Sequence, residues 1–341
     1  MRILIVGAAS KYAIEKPYLK YLSKSKEVSY IDLFAAQNLF LKYYNKSIVN
    51  KILYRAGISK ILNEINSQLK EKVSASRPDV IIVFKGMEIF PGTIKFIKGM
   101  GIKVVNYNPD NPFIFSGRGS GNKNITNSIG LYDLHLTYNI EVKNEIEEKY
   151  NIPVKILPFG FDVDEDLYWK CVKQAEIIKA CFVGNPDKER AGFIMGLANE
   201  GILMDVYGNN WNKFISHPNV IIHTSVYGED LWKTLRRYRV QLNLMRIHNI
   251  NSHNMRSFEV TGVGGIMVAP QTIEHQLYFE NQKEVFLYKS VIDCAKTIRE
   301  LLSLSSTEAE EIRESAKRRS ITSGYTYEDR AKQLLTELQR L

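Results

Sequence analysis

Arg256-Ser-Phe-Glu259-Val-Thr-Gly262-Val-Gly264-Gly265-Ile-Met-Val-Ala-Pro270 reads as a short helix that carries a charged pair, breaks at glycines and returns as a buried strand. The strand, Ile266 to Ala269, stops at a proline. In an open α/β sheet, ligands occupy the crevice where such loops and helix ends meet, because free backbone N–H groups there can face an anion. Arg256 and Glu259 stand three residues apart and so share one helix face. A guanidinium suits a phosphate and a carboxylate suits a pair of sugar hydroxyls.

Working outward, strand and helix alternate along the chain. Arg2 to Gly7, Val28 to Leu33, Val80 to Phe84, Lys103 to Tyr107, Leu134 to Tyr138 and Lys155 to Leu157 read as strands. Residues 35–76 read as mostly helical, with Ile58, Ile61, Leu62, Ile65 and Leu69 at helical spacing. After Pro158-Phe-Gly-Phe-Asp162 and a polar linker, strands resume at Ala180 to Gly184, Met204 to Tyr207, Val220 to His223, Val240 to Met245 and Val285 to Leu287. Helices are expected over 229–238, 291–303 and 307–320, with an amphipathic one in the tail. Such alternation predicts doubly wound parallel sheets. At 341 residues the chain exceeds one ordinary core. The expected domains are 1–168 and 178–322, with 323–341 packing back on the first.

Composition is that of a soluble globular chain, 45% hydrophobic and 24% charged. Three scattered cysteines, Cys171, Cys181 and Cys294, make no CxxC and argue for a reducing cytosol. Neither a signal peptide nor a membrane-spanning run is read. A cytoplasmic location, with contact at the inner membrane face, is expected. Net charge is +9, and residues 1–80 hold fourteen Lys or Arg against six Asp or Glu. That asymmetry suits an anionic membrane face, an anionic polymer or a nucleic acid. No RNP-like pair, helix-turn-helix glycine turn or zinc finger supports the last.

Three constellations carry chemistry in the second half. Phe182-Val-Gly184-Asn-Pro-Asp-Lys188-Glu189-Arg190 is a strand ending at glycine, a cationic loop and a helix, suited to neutralising a diphosphate. Tyr207-Gly208-Asn-Asn-Trp211 offers either a surface on which a base stacks or a turn capped by a core Trp. The run from Asn243 through Arg246, His248, Asn251, Ser252, His253 and Asn254 to Arg256 has neither strand nor helix period and reads as a polar site loop. In the first half, the turn-rich segment Asn106–Asn127 carries Arg118 and Lys123 and belongs at the binding edge of the sheet.

Phe182-Val-Gly…Arg190, Tyr207-Gly…Trp211, Leu242-Asn243, Arg256-x-Phe-Glu259, Gly264-Gly265 and Glu284-Val-x-Leu-Tyr288 together resemble the spore-maturation CgeB-type glycosyltransferases. That group is similar to the family-4 class of GT-B glycosyltransferases. The resemblance covers most of 180–335. Over 1–165 it is looser, resting on the first strand–Gly, Asn108-Pro-Asp110 and Pro158-x-Gly160-x-Asp162. It implies two Rossmann-like domains facing across a cleft, with a closing helix at Tyr325-Thr-Tyr-x-x-Arg330 that crosses back. It also implies a nucleotide-sugar donor held by a Glu-x7-Glu motif. Glu259 matches the second Glu, which binds the ribose hydroxyls, while Asn251 occupies the first position as a catalytic-site candidate that can hydrogen-bond a sugar hydroxyl but cannot supply the same charge. By this reading Arg190 and Arg256 take the diphosphate, Gly264 and Gly265 give it close approach, and Gly184, Tyr207, Gly208, Trp211 and Asn243 complete the donor site.

On the first domain, Gly7, Asn108 and Arg118 are the expected acceptor contacts. Asp110 is the candidate general base and His135 a poor second, should the reaction invert. Stereochemistry stays open. Asp162-Val-Asp164 fits a metal-binding Asp-x-Asp pattern, yet it stands at a domain exit. His248 and His253 lack a nearby Cys or acidic third ligand, so no zinc is read. No metal or cofactor is expected beyond the nucleotide-sugar co-substrate. The expected activity is sugar transfer to a surface-glycan, lipid-linked or protein acceptor in cell-envelope polysaccharide synthesis. Other readings are a nucleotide-sugar epimerase, a phosphorylase, or a non-catalytic polyanion- or nucleic-acid-binding module. A dinucleotide oxidoreductase is disfavoured by Gly7-Ala-Ala-Ser in place of GxGxxG.

Overall fold

The computed structural model describes residues 1–115, 120–246, 249 and 251–341. The chain divides into two compact units, Met1–Pro158 with Tyr327–Leu341, and Phe159–Thr326. Each unit carries a six-stranded, wholly parallel sheet.

The first unit begins β1 (Arg2–Val6), α1 (Glu15–Leu22), β2 (Tyr30–Phe34), α2 (Ala36–Lys46), α3 (Ile48–Arg55) and α4 (Ile61–Ser76). It continues β3 (Val80–Phe84), α5 (Pro91–Gly99), β4 (Lys103–Asn108), α6 (Lys123–Thr126), β5 (Leu134–Thr137), α7 (Ile140–Tyr150) and β6 (Val154–Ile156). The sheet order is β2-β1-β3-β4-β5-β6, so connections from β1 and β3 diverge and leave a switch point between them. Ligands favour such points. Every residue of β3 is buried, as a strand covered on both faces requires. Alternate side chains serve opposite layers: Ile3 and Ile5 join Tyr18 and Leu22 on one face, Leu4 and Val6 join Ile65 and Leu69 on the other. The tail helix completes the first layer. It buries Tyr327, Ala331, Leu334, Leu335 and Leu338 at helical spacing and packs on α1.

The second unit runs α8 (Glu165–Val172), β7 (Ile177–Val183), α9 (Lys188–Asn199), β8 (Met204–Tyr207), β9 (Val220–His223), α10 (Glu229–Arg237) and β10 (Tyr238–Leu242). Then come α11 (Met255–Gly262), β11 (Met267–Pro270), α12 (Ile273–Tyr278), β12 (Phe286–Tyr288), α13 (Val291–Ser303) and α14 (Ser306–Thr322); the tail helix of the first unit is α15 (Tyr327–Leu338). Strand order is β12-β11-β10-β7-β8-β9. Counted within the unit this is the 3-2-1-4-5-6 order of dinucleotide-binding sheets, with its switch point between β7 and β10. The residues read as a polar linker form α8, capped by Asp164, whose side chain accepts the Leu167 N–H at 2.8 Å. Among the described residues no helix is long and apolar enough to cross a membrane.

Candidate functional site

The loops leaving β7 and β10 meet at the second unit's switch point, and arginines dominate them. Asp187 caps α9 by accepting the Arg190 N–H at 2.9 Å, which fixes Arg190 in the first turn. The Arg190 guanidinium then lies over the Phe182 ring and donates to the Leu244 carbonyl at 2.8 Å and the Asn185 carbonyl at 3.1 Å. Its Nε is buried without a hydrogen-bond partner among the described residues. Burial, opposed by Asp187 and reinforced by the charges of Arg246 and Arg256, pushes Arg190 down to about 10.

Arg256 stands in the first turn of α11. Asn254 and Ser257 form a reciprocal capping box there, so the helix start is rigid. Arg256 donates to Glu259 Oε2 at 2.5 Å, and Glu259 is itself buried. Asp187 and Glu259 pair with Arg190 and Arg256 at 3.6 and 2.5 Å, and the charges of Arg246 and Arg256 act on Arg190. An incoming dianion would offset the mutual repulsion of these guanidiniums.

Other expected donor residues turn out to be scaffold. Trp211 is fully buried and donates Nε1–H to the Gly184 carbonyl at 2.8 Å, so neither ring face is open to a base. Gly208 exists for that contact, because a Cβ there would stand 2.3 Å from the same carbonyl oxygen. The Gly184 N–H is spent on the Tyr207 carbonyl. Tyr207 stacks on His223 and shares its hydroxyl with Tyr238 and Arg237. Asn243 is buried and bonded to Ser257, Met267 and Asn254, tying the end of β10 to the start of α11.

Gly264 and Gly265 stand at the far end of α11 from Arg256. Helix α11 starts at the carboxyl end of β10 and runs back, so the glycines lie at the amino end of the sheet. Gly264 adopts φ +74°, and the two N–H groups close the helix onto the Thr261 and Val260 carbonyls. A Cβ on Gly265 would stand 2.6 Å from the Leu235 carbonyl oxygen. Close packing, not phosphate approach, requires them. Asn251 is exposed in the turn before α11.

A buried network that the sequence reading passed over holds this loop. Glu274 Oε2 accepts from Ser252 Oγ at 2.6 Å and the His253 N–H at 3.1 Å, and pairs with His253 Nδ1 at 2.5 Å. Next to it, His275 Nε2 meets Ser257 Oγ at 2.9 Å and Nδ1 meets the Pro270 carbonyl at 2.8 Å. Burial pushes His275 down to about 4, so it stays neutral. The signal was a Glu-His pair on a six-residue helix, too short to show a period.

In the first unit, Gly7 and Asp110 line one pocket of about 230 Å³ at the β1/β3 switch point. Asn108 is buried beneath it and does not line it. Its Oδ1 accepts the Asp110 N–H at 3.0 Å, holding the turn that presents Asp110. Asp110 Oδ2 accepts from Lys85 Nζ at 2.6 Å. His135 is wholly buried in β5 and burial pushes it down to about 4, which removes it as a base within reach of a ligand. Arg118 and His248 lie outside the described residues.

Residues 190–336 match the model of a family described as glycosyl transferase-like. No curated protein sequence matches the chain. Among solved structures, sucrose-phosphate synthase from Thermosynechococcus elongatus is similar with TM-score 0.70 at 10% identity, covering 100% of this chain and 99% of that one. Anabaena HepE in complex with UDP gives TM-score 0.65 at 12% identity, covering 100% of both. UDP-GlcNAc 2-epimerase from Neisseria meningitidis bound to UDP-GlcNAc gives 0.57 at 14%, again covering 100% of both. The fold is therefore the two-domain α/β GT-B architecture.

Proposed function

We propose that this chain is a GT-B glycosyltransferase of the CgeB-like kind, moving a sugar from a nucleotide-sugar donor to a glycan, lipid-linked or protein acceptor. The carrying observation is Arg190, fixed by the Asp187 cap and reaching the Leu244 carbonyl across the β7/β10 switch point, with the charges of Arg246 and Arg256 acting on it. Guanidiniums there neutralise the diphosphate, the group that must leave. Glu259 keeps oxygen lone pairs beyond the one that Arg256 occupies and takes the ribose hydroxyls. Asp110 in the first-unit pocket serves the acceptor hydroxyl. No metal is assigned: Asp164 is committed to its helix cap.

A panel of nucleotide sugars in a thermal-shift assay tests this reading, since a ligand of the folded state raises Tm. One nucleotide-sugar family should shift the transition, and product analysis should find its sugar on an acceptor. A changed sugar on the nucleotide, with no acceptor needed, would instead identify an epimerase.

The membrane part of the proposal rests on α2 and α3. Between Leu33 and Asn63 stand five Lys or Arg and no Asp or Glu. Helix α3 buries none of its residues; Ile48, Val49 and Ile52 are 67, 57 and 56% exposed, and Ile58 follows them into solvent. An apolar helical face ringed by cations fits an anionic bilayer surface, each cation adding about 1 kcal/mol. The protein is expected to pellet with phosphatidylglycerol-containing vesicles and not with pure phosphatidylcholine. Ile48→Asp with Ile52→Asp should release it, and binding indifferent to both changes would remove the membrane assignment.

A further inference from the structure

The pocket between β1 and β3 is lined by Ser10, Glu15, Gln37, Lys85, Glu88 and Asp110, among others. Its two glutamates are buried, Glu15 at 5% exposure and Glu88 at 8%. They come from distant parts of the chain, one opening α1 and the other lying just past β3. Glu15 Oε1 accepts the Ala8 N–H at 2.6 Å. Gly7 permits this approach, since a Cβ would stand 2.3 Å from that oxygen.

Glu88 is less provided for. No side chain among the described residues donates a hydrogen bond to its carboxyl, and the backbone N–H that acts on it is its own. Burial first, and the neighbouring Glu15 charge after it, push Glu88 up, while Lys85 pulls it down. Burial likewise pushes Glu15 up. Lys85 is itself engaged by Asp110. Among the described residues, three carboxyls therefore line a small pocket against one ammonium, with Lys16 acting on Glu15 from outside the lining. Buried carboxyls without donors are costly, and they accept hydrogen bonds when a ligand brings donors. A phosphate or carboxylate entering there would meet like charge.

We infer that this pocket binds a sugar ring through its hydroxyl or amino donors, with Glu88 the residue that accepts them, and that it excludes anionic groups. The volume agrees, lying below the roughly 300–1,000 Å³ of drug-sized sites, which leaves room for one ring. The inference rests on the acceptor reading of the first unit, and it narrows that acceptor to a neutral or amine-bearing sugar at the point of contact.

Saturation-transfer NMR on the full chain tests it with glucose, glucosamine, glucuronate and inorganic phosphate as probes; saturation transfer reads the three sugars, and phosphate enters as a competitor. Glucose and glucosamine should receive saturation and compete with one another. Glucuronate should receive none, and phosphate should not displace them. Glu88→Gln, which keeps the shape, should weaken glucosamine at least several-fold more than glucose, and Glu88→Leu should abolish both signals at unchanged Tm. The inference is overturned if neither sugar binds, if glucuronate binds or phosphate displaces the sugars, or if both variants keep wild-type signals. UDP-induced thermal shift, measured in parallel, reports the second unit alone. Its loss with sugar binding retained would count against the donor site and leave this pocket standing.

Discussion

Arg256→Ala should weaken nucleoside-diphosphate binding by about 10- to 100-fold. A hydrogen bond to a charged group contributes about 1.5–3 kcal/mol, and each 1.4 kcal/mol is tenfold in affinity. The change also strips Glu259 of the cation that holds its buried carboxylate. Part of any loss would then reflect an unpaired charge, which costs more than the pair gained. Arg256→Ala combined with Glu259→Gln separates the two effects. The double variant should recover stability and not affinity for the diphosphate. Thermal unfolding reads the stability, and calorimetric titration with UDP, or with whichever nucleoside diphosphate the panel selects, reads the affinity. Wild-type affinity in the single variant would mean that the anion is held elsewhere.

Trp211→Ala should cost about 3–5 kcal/mol of stability in the second unit, the range for deleting a large aromatic from a core. Trp211 is wholly buried, meets Phe182 edge-on at 5.7 Å, and holds the Gly184 carbonyl through Nε1–H. Its removal therefore leaves a cavity and an unpaired carbonyl together. Urea unfolding should show a lower midpoint. At temperatures where the variant is folded, nucleotide affinity should stay within about twofold of wild type. An intact midpoint with a large loss of affinity would restore Trp211 as a base-stacking surface.

The contrast between Arg256 and Trp211 shows how legible the site was. Buried parallel strands announce themselves as apolar runs, so Val80–Phe84 and Met204–Tyr207 are read at their observed bounds, as is the more exposed edge strand Val220–His223. Helix α8 was read as linker because Glu-Asp-Leu-Tyr-Trp-Lys-Cys-Val buries only Cys171 and shows little apolar periodicity. Arg190 and Arg256 were picked out because cations in loops after buried strands mark the carboxyl edge of a sheet. Arg246 stood in the same polar run, but its approach to the other two depends on tertiary folding.

Local sequence does not show what Gly264, Gly265 and Asn243 contact. Glycine looks the same in sequence whether it admits a phosphate or closes a helix. Gly264 and Gly265 close one, and only chain direction tells which end of the sheet they occupy. Asn243 was likewise taken for a ligand contact, when its amide is consumed in joining β10 to α11. The pair Glu15 and Glu88 went unnoticed because nothing local connects residues so far apart. The order of strands β1 and β3 brings them together.

In the proposed donor site, the guanidiniums of Arg190, Arg246 and Arg256 hold the diphosphate of the nucleotide. Calorimetric titration of the wild type with a nucleoside and with its mono- and diphosphate tests this most directly. Affinity should climb steeply with phosphate number, and Arg246→Ala, which alters only an exposed side chain, should reduce the diphosphate's advantage about tenfold. Equal binding of nucleoside and diphosphate, or no binding of either, would mean that these arginines hold no diphosphate.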